Sequence, residues 1–415
     1  MTYRRRHLLK IAAGGAVGLT GCLGGGNGDD GEDTTDGNGG DNTNGGTDNG
    51  ETDGEDEQTE ELDHEPWSTY GGDPANTGYA PDASAPEGEV AWEYETDGPF
   101  YSSPVVVEST VYVPSFDQRL HAVDAVAGEA DWTFEGSGNP RSTPAVTDDH
   151  IYFGTDDNIL YAVTREGEQD WRYSGDGPVR ASPKTVEVGG NSFVLVGEGR
   201  FGSGAVGSRR VIQAVSSDGE LEWSFEAGDF TEQAPAVAGG NVYVVRQDGI
   251  LYSIDASNGE QNWFHEASGD IYASPAVRDE TVIYADDEGN VRGVRADEDS
   301  VRWSYEAEAG VRSSPSASND AVYFGDDDGT FHAVSLEGDE LWTYEVGASV
   351  RSKPSIGEDF VAFGSNDGTI HVLDTEDEGE ELWTYETGND VRTSPAVIDG
   401  RLFVSSFDNN LYAFE

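Results

Sequence analysis

A chain of 415 residues with 82 acidic against 23 basic side chains, net charge −59, repels phosphate backbones, which excludes nucleic acid as a partner. It has one cysteine, Cys22, so no disulfide can form within it and stability has to come from packing.

In chain order, Arg4, Arg5 and Arg6 precede His7-Leu8-Leu9-Lys10, an apolar run from Ile11 to Leu19, and Thr20-Gly21-Cys22. The run is too short to span a bilayer as a helix. The order of parts over 1–22 resembles a twin-arginine export signal that ends in a lipobox, which implies lipidation at Cys22. The expected location is therefore the cell surface, anchored to the outer face of the cytoplasmic membrane. Residues 23–65 hold sixteen acids, no base and almost no apolar side chain, so they are expected to form a disordered acidic tether. Removing both segments leaves 66 acids and 19 bases in 350 residues, a strongly acidic folded part.

After a lead-in over 66–89, residues 90–415 repeat one pattern eight times. Tryptophan recurs at Trp92, Trp132, Trp171, Trp223, Trp263, Trp303, Trp342 and Trp383, and proline at Pro104, Pro144, Pro183, Pro235, Pro275, Pro315, Pro354 and Pro395. Both series step by 40, 39, 52, 40, 40, 39 and 41 residues. A period near forty, with alternating segments cut by Gly/Asp/Asn turns, predicts four-stranded propeller blades. In the sixth unit the pattern predicts strand A over Arg312 to Ala317, B over Ala321 to Gly325, a turn at 326–329, C over Thr330 to Val334, and D carrying Trp342 and Tyr344. Tryptophan and the aromatic residue two positions on share a strand face and are expected to pack blade against blade. Only the fifth copy departs, with His265 in the aromatic slot. The first Trp segment, 90–95, precedes any A strand and the last unit ends without one. The N-terminal strand is therefore expected to complete the last blade and close an all-β, eight-bladed propeller.

The phrases Ser313-Ser314-Pro315, Val322-Tyr323-Phe324-Gly325, Asp327-Asp328-Gly329 followed by Ala333-Val334, and Leu341-Trp342-Thr343-Tyr344-Glu345 resemble the repeat of the pyrroloquinoline-quinone-like (PQQ-like) propellers. The lead-in from Trp67 to Tyr79 is similar to the start of such chains, and the whole layout to BamB-like lipoproteins. The acidic composition resembles that of halophilic archaeal proteins. The resemblance implies a non-enzymatic, protein-binding or assembly scaffold whose partner is a surface or membrane protein. It also leaves open a quinone-dependent dehydrogenase, and an anionic-ligand or carbohydrate-binding module. That enzyme branch implies PQQ, calcium held by Glu, Asn and Asp, and an adjacent cysteine pair, and no such pair exists here.

Other motifs have repeat explanations. The turns at Asp156-Asp157-Asn158, Asp286 to Gly289, Asp326 to Gly329 and Asn366-Asp367-Gly368 lack the continuation of an EF-hand loop and are expected to be hairpin turns. His121, His332 and His371 fill a slot held elsewhere by Tyr161, Tyr252 and Tyr412. No catalytic residue or metal ligand is assigned. The informative slot lies three before the repeated proline, where the units carry Tyr101, Arg141, Arg180, Glu232, Tyr272, Arg312, Arg351 and Arg392. Five of the folded part's 19 bases share it, as a basic arc facing Glu232 and Tyr272. The third unit has 13 extra residues, about four expected in the A–B turn and nine in the B–C turn. Its loop 198–210, with Arg200, Phe201, Arg209 and Arg210, is expected to overhang the arc. Two readings of the arc stand: a rim that binds a partner or an anion, and a repeat-wide pairing of Arg with Asp in neighbouring B–C turns. Replacing Cys22 with Ser is expected to move the protein from the membrane fraction to the medium, checked by fractionation and immunoblotting.

Overall fold

The alternating segments form 32 strands in eight antiparallel four-stranded sheets, an eight-bladed β-propeller. This computed structural model describes residues 66–199, 211–228 and 232–415; Cys22, the tether and Arg200, Phe201, Arg209 and Arg210 lie outside the described residues. Seven blades are continuous, at 105–135, 145–174, 184–226, 236–266, 276–306, 316–345 and 355–386, and the eighth combines 396–414 with 90–95.

Blade 6 has strands Ser316–Ala317, Ala321–Gly325, Thr330–Ser335 and Glu340–Glu345. B, C and D follow the sequence pattern, but strand A starts four residues later than expected. Pro315 cannot donate to a ladder, and the Ser313 hydroxyl bonds the Ser352 carbonyl in the next blade. The segment from Arg312 to Pro315 is therefore an extended lead into the strand, held between blades. In the B–C turn, Asp326 Oδ1 accepts the N–H groups of Asp328, Gly329 and Thr330 at 3.1, 2.9 and 2.8 Å, which explains the acid there without a cation.

Each tryptophan on strand D stands opposite a small or β-branched residue on strand C, as in Trp132↔Ala122, Trp303↔Gly293 and Trp383↔Val372, with a bulge beside it. The indole N–H reaches into the following blade: Trp92 bonds the Ala125 carbonyl at 3.1 Å, Trp132 that of Arg165 at 2.9 Å, and Trp223 that of Ala256 at 3.1 Å. The C–D turn of the following blade lays a left-handed glycine on the same indole. A Cβ at Gly128, φ +71°, would come within 2.5 Å of Trp92. At the break in the pattern, His265 finds its own partners, Asp299 at 2.6 Å and the Tyr284 hydroxyl at 3.1 Å.

Val90–Glu95 pairs antiparallel with Asn410–Phe414, with Trp92 opposite Ala413 and Tyr94 opposite Leu411, so the first strand is the outer strand of the last blade. Its side chains then grip blade 1, where Tyr94 meets His121 Nδ1 at 3.0 Å. The third unit differs from expectation. Its additional A–B residues lengthen the strands, to Lys184–Val188 and Asn191–Gly197, and leave a tight Gly189-Gly190 turn with both φ values positive.

The lead-in lies along the innermost strands. Carbonyls of Trp67, Ser68, Pro74, Ala75, Thr77 and Gly78 accept the N–H groups of Val106, Val146, Val237, Val277, Ala317 and Ile356 at 2.7 to 2.8 Å, so one segment ties six blades together. Deleting 90–95 exposes two strand edges and removes Trp92 and Tyr94 from the seam. Both are half-buried, full burial of such a side chain is worth roughly 1.5 to 3 kcal/mol, and differential scanning calorimetry should show a fall in melting temperature of about 5 °C. Deleting 23–60 should leave it unchanged.

Candidate functional site: the axial funnel

The residue before each repeated proline is Ser103, Thr143, Ser182, Ala234, Ser274, Ser314, Lys353 or Ser394. Their backbones are stitched through hydroxyls around the axis. Ser103 N–H donates to Thr143 Oγ1, Thr143 N–H to Ser182 Oγ, Ala234 N–H to Ser274 Oγ, Ser274 N–H to Ser314 Oγ, Lys353 N–H to Ser394 Oγ and Ser394 N–H to Ser103 Oγ, at 2.8 to 3.2 Å. The chain is interrupted where Ala234 and Lys353 replace the hydroxyl. A hydroxyl that accepts an N–H keeps its own proton to give, and these six line an axial cavity of about 200 Å³.

All eight residues of the arginine slot line the mouth of that cavity, so the structure brings together Tyr101, Arg141, Arg180, Glu232, Tyr272, Arg312, Arg351 and Arg392. Their pairing follows the Asp-bridge reading. Asp156 in the blade 2 turn takes Arg141 Nε at 3.2 Å and Arg180 Nε at 2.6 Å; Asp327 in the blade 6 turn takes Arg312 Nε at 3.3 Å and Arg351 Nε at 3.0 Å. Arg392 reaches Asp390 at 2.7 Å and the Asn366 side chain at 3.2 Å. Glu232 does not stand apart across the axis as the sequence suggested, because the neighbouring Arg180 Nη1 lies 2.7 Å from it. Burial nevertheless keeps the Glu232 carboxyl above its ordinary range, against the opposing pull of Arg180. Tyr272 lies under Arg312, whose guanidinium carbon is 4.7 Å from the ring centre.

The pairing is side-on. Arg141 and Arg351 hydrogen-bond through Nε, Arg312 Nε makes only the ion-pair contact with Asp327, and the terminal amino groups of all three have no hydrogen-bond partner among the described residues. One face differs from the rest. The B–C turn position that supplies Asp156 and Asp327 is Phe116 in blade 1 and Phe407 in blade 8, and between them stands Tyr101. Its ring centre lies 4.1 Å from Phe116 and 4.4 Å from Phe407, with Arg141 over Tyr101 at 4.8 Å and Arg392 over Phe407 at 5.4 Å. Neither phenylalanine is visible as a site residue in sequence until the turns are aligned by blade.

The floor was not anticipated either. The Tyr70 hydroxyl donates to Ser314 Oγ at 2.9 Å. Two of the chain's three lysines, Lys184 and Lys353, are buried beside it. Lys184 Nζ donates to the carbonyls of Tyr70 and Asp73, and Lys353 Nζ to that of Pro315. Burial pushes Lys184 down to about 7 and Lys353 well below the usual lysine range, with Asp73 opposing in both. The available signal was a long side chain in a slot that holds small residues in the other repeats. His121, His332 and His371 sit away from this lining and contact Asp117, Asp326 and Ser365.

A family model described as "Outer membrane protein assembly factor BamB" (PQQ_2) matches residues 82–187, 180–310 and 327–415. The chain belongs to this family. No curated protein matches the sequence. Similar solved structures include the quinohemoprotein alcohol dehydrogenase from Comamonas testosteroni, 15% identical over 84% of this chain and 80% of that one, TM-score 0.71. A europium-containing methanol dehydrogenase is 14% identical over 82% and 89%, TM-score 0.69, and BamB from Moraxella catarrhalis is 18% identical over 79% and 97%, TM-score 0.64. At these identities the likeness is one of fold.

A quinone held with calcium does not fit this lining. Among the described residues the one carboxylate that lines the funnel, Glu232, is taken by Arg180, and a cation there would face five arginines. The volume is also below the roughly 300–1,000 Å³ of cofactor-sized pockets.

The buried lysine makes a pH prediction. Because its folded pKa is depressed, the unfolded chain binds more protons between about pH 7 and the ordinary lysine value, so the destabilisation is complete below about 7 and relieved as pH rises. Melting curves of Lys184→Met and the parent across this range should show a difference, variant minus parent, that shrinks steadily above neutral pH.

Proposed function

We propose that the chain is a lipid-anchored cell-surface propeller of a high-salt organism that binds another protein through the funnel rim, as a non-enzymatic assembly scaffold. The observation that carries this reading is the composition and state of the rim. Arg141 and Arg351 are held by Nε, their terminal amino groups have no hydrogen-bond partner among the described residues, and Arg141 lies over Tyr101, which is 41% exposed between two phenylalanines. Arg and aromatic residues in a preordered cluster are what protein-binding hot spots are made of. The family description points the same way, and the donor-rich lining disfavours the quinone–calcium enzyme.

The test is a photo-crosslinking residue at Tyr101 in the native host. A discrete protein adduct is expected there and not from Phe264 on an outer strand, and equal labelling at both would refute a specific rim. Arg312→Gln with Arg351→Gln should weaken the adduct while melting changes little, since partly exposed pairs of this kind are each worth about 0–1 kcal/mol.

A further inference from the structure

We infer that the funnel mouth takes the carboxylate-bearing end of a polypeptide, with an aromatic or aliphatic terminal side chain seated on the Phe407–Tyr101–Phe116 stack and its carboxylate on the terminal amino groups of Arg141. This rests on the protein-binding reading above and specifies the chemistry of the partner.

Three independent features converge on it. The first is donor polarity. The six hydroxyls of the axial chain accept backbone N–H groups and retain protons to donate, and Arg141 and Arg351 present terminal amino groups without protein partners among the described residues. A cluster of donors requires an acceptor, and a planar carboxylate matches the guanidinium fork. The second is phenylalanine, in the two adjacent turns flanking Tyr101, at the position that holds Asp156 and Asp327 in blades 2 and 6. The Tyr101 hydroxyl has no hydrogen-bond partner among the described residues, and Arg141 lies over the rings of both Tyr101 and Phe116 at 4.8 and 4.9 Å. An inorganic anion would use the arginine and leave this apolar surface uncovered, whereas a terminal residue offers a carboxylate and a side chain a few ångströms apart. The third is size. The cavity of about 200 Å³ stops at Tyr70 and Lys353, which admits a chain end and not a folded element. In concentrated salt attraction and repulsion at range are screened, so a partner is held only where close, geometrically matched contacts form.

The experiment uses the whole protein and a fluorescent Gly-Ser-Gly-Phe peptide in two forms, with a free and with an amidated C-terminus, followed by anisotropy in concentrated potassium chloride, with sodium sulfate as competitor. The free-carboxylate form should bind about tenfold or more tightly than the amide. Arg141→Gln should abolish that difference, and Phe116→Ala should weaken both forms. Arg141→Lys, which keeps the charge beside Asp156 and loses the fork, should fall with Arg141→Gln, while unchanged melting shows that the fold survives. Equal binding of the two forms, or full displacement by equimolar sulfate, overturns the inference. If no peptide binds while the Tyr101 crosslink persists, the chain-end chemistry is wrong and the scaffold reading stands. If the crosslink is also absent, both fall.

Discussion

Closure of the ring is the constraint on which everything else depends. Eight sheets that contact one another only through neighbours have no centre of their own, so one unmade seam would leave two blades with open faces. The pairing of Val90–Glu95 with Asn410–Phe414 removes that seam by building the last blade from both ends of the repeat region. The Trp92 indole then bonds the Ala125 carbonyl across it, as other tryptophans do at seams within the chain. The lead-in adds a second closure at the axis, where its carbonyls satisfy N–H groups of innermost strands that have no further strand to pair with.

The same repetition creates the funnel. Any side chain at a fixed offset from the repeated proline is brought to the axis eight times. Serine and threonine there stitch adjacent blades, and arginine three residues earlier anchors to the turn of its own or a neighbouring blade. The structural and the recognition readings of the arginines are not exclusive. Nε is spent on Asp156 or Asp327, and the rest of the planar fork is held in place by that bond. A lysine would have only one nitrogen for both roles.

The departures from the repeat set the rim and the floor of the funnel apart from the rest of the ring. Ala234 and Lys353 break the hydroxyl chain, Lys184 and Lys353 bring buried charge to the floor, and Phe116 and Phe407 convert an ionic rim into an aromatic one beside Tyr101. Ala234 leaves a gap in the hydroxyl chain, and the lysines cost solvation. The burial of two lysines in a protein with three is the clearest case, since the desolvation that depresses their pKa opposes folding at neutral pH.

The sequence alone determined the number of blades, the strands B to D of the sixth unit, the closing strand and the grouping of eight slot residues on one rim, because those follow from counting along a chain whose repeats superpose. It misjudged the start of strand A, where a proline and hydroxyls bonded to the next blade replace the ladder, and the third unit, where additional residues extended a hairpin. Tertiary structure alone decided which arginine meets which aspartate, that Glu232 is claimed by Arg180, that Tyr70 with two lysines closes the funnel, and that Phe116 and Phe407 enclose Tyr101. Many of these contacts join residues from neighbouring blades, as Arg180 with Asp156 and, about three hundred positions apart in the chain, Tyr101 with Phe407. Periodicity fixes the face on which such residues emerge, but only the packed ring sets the distance between them.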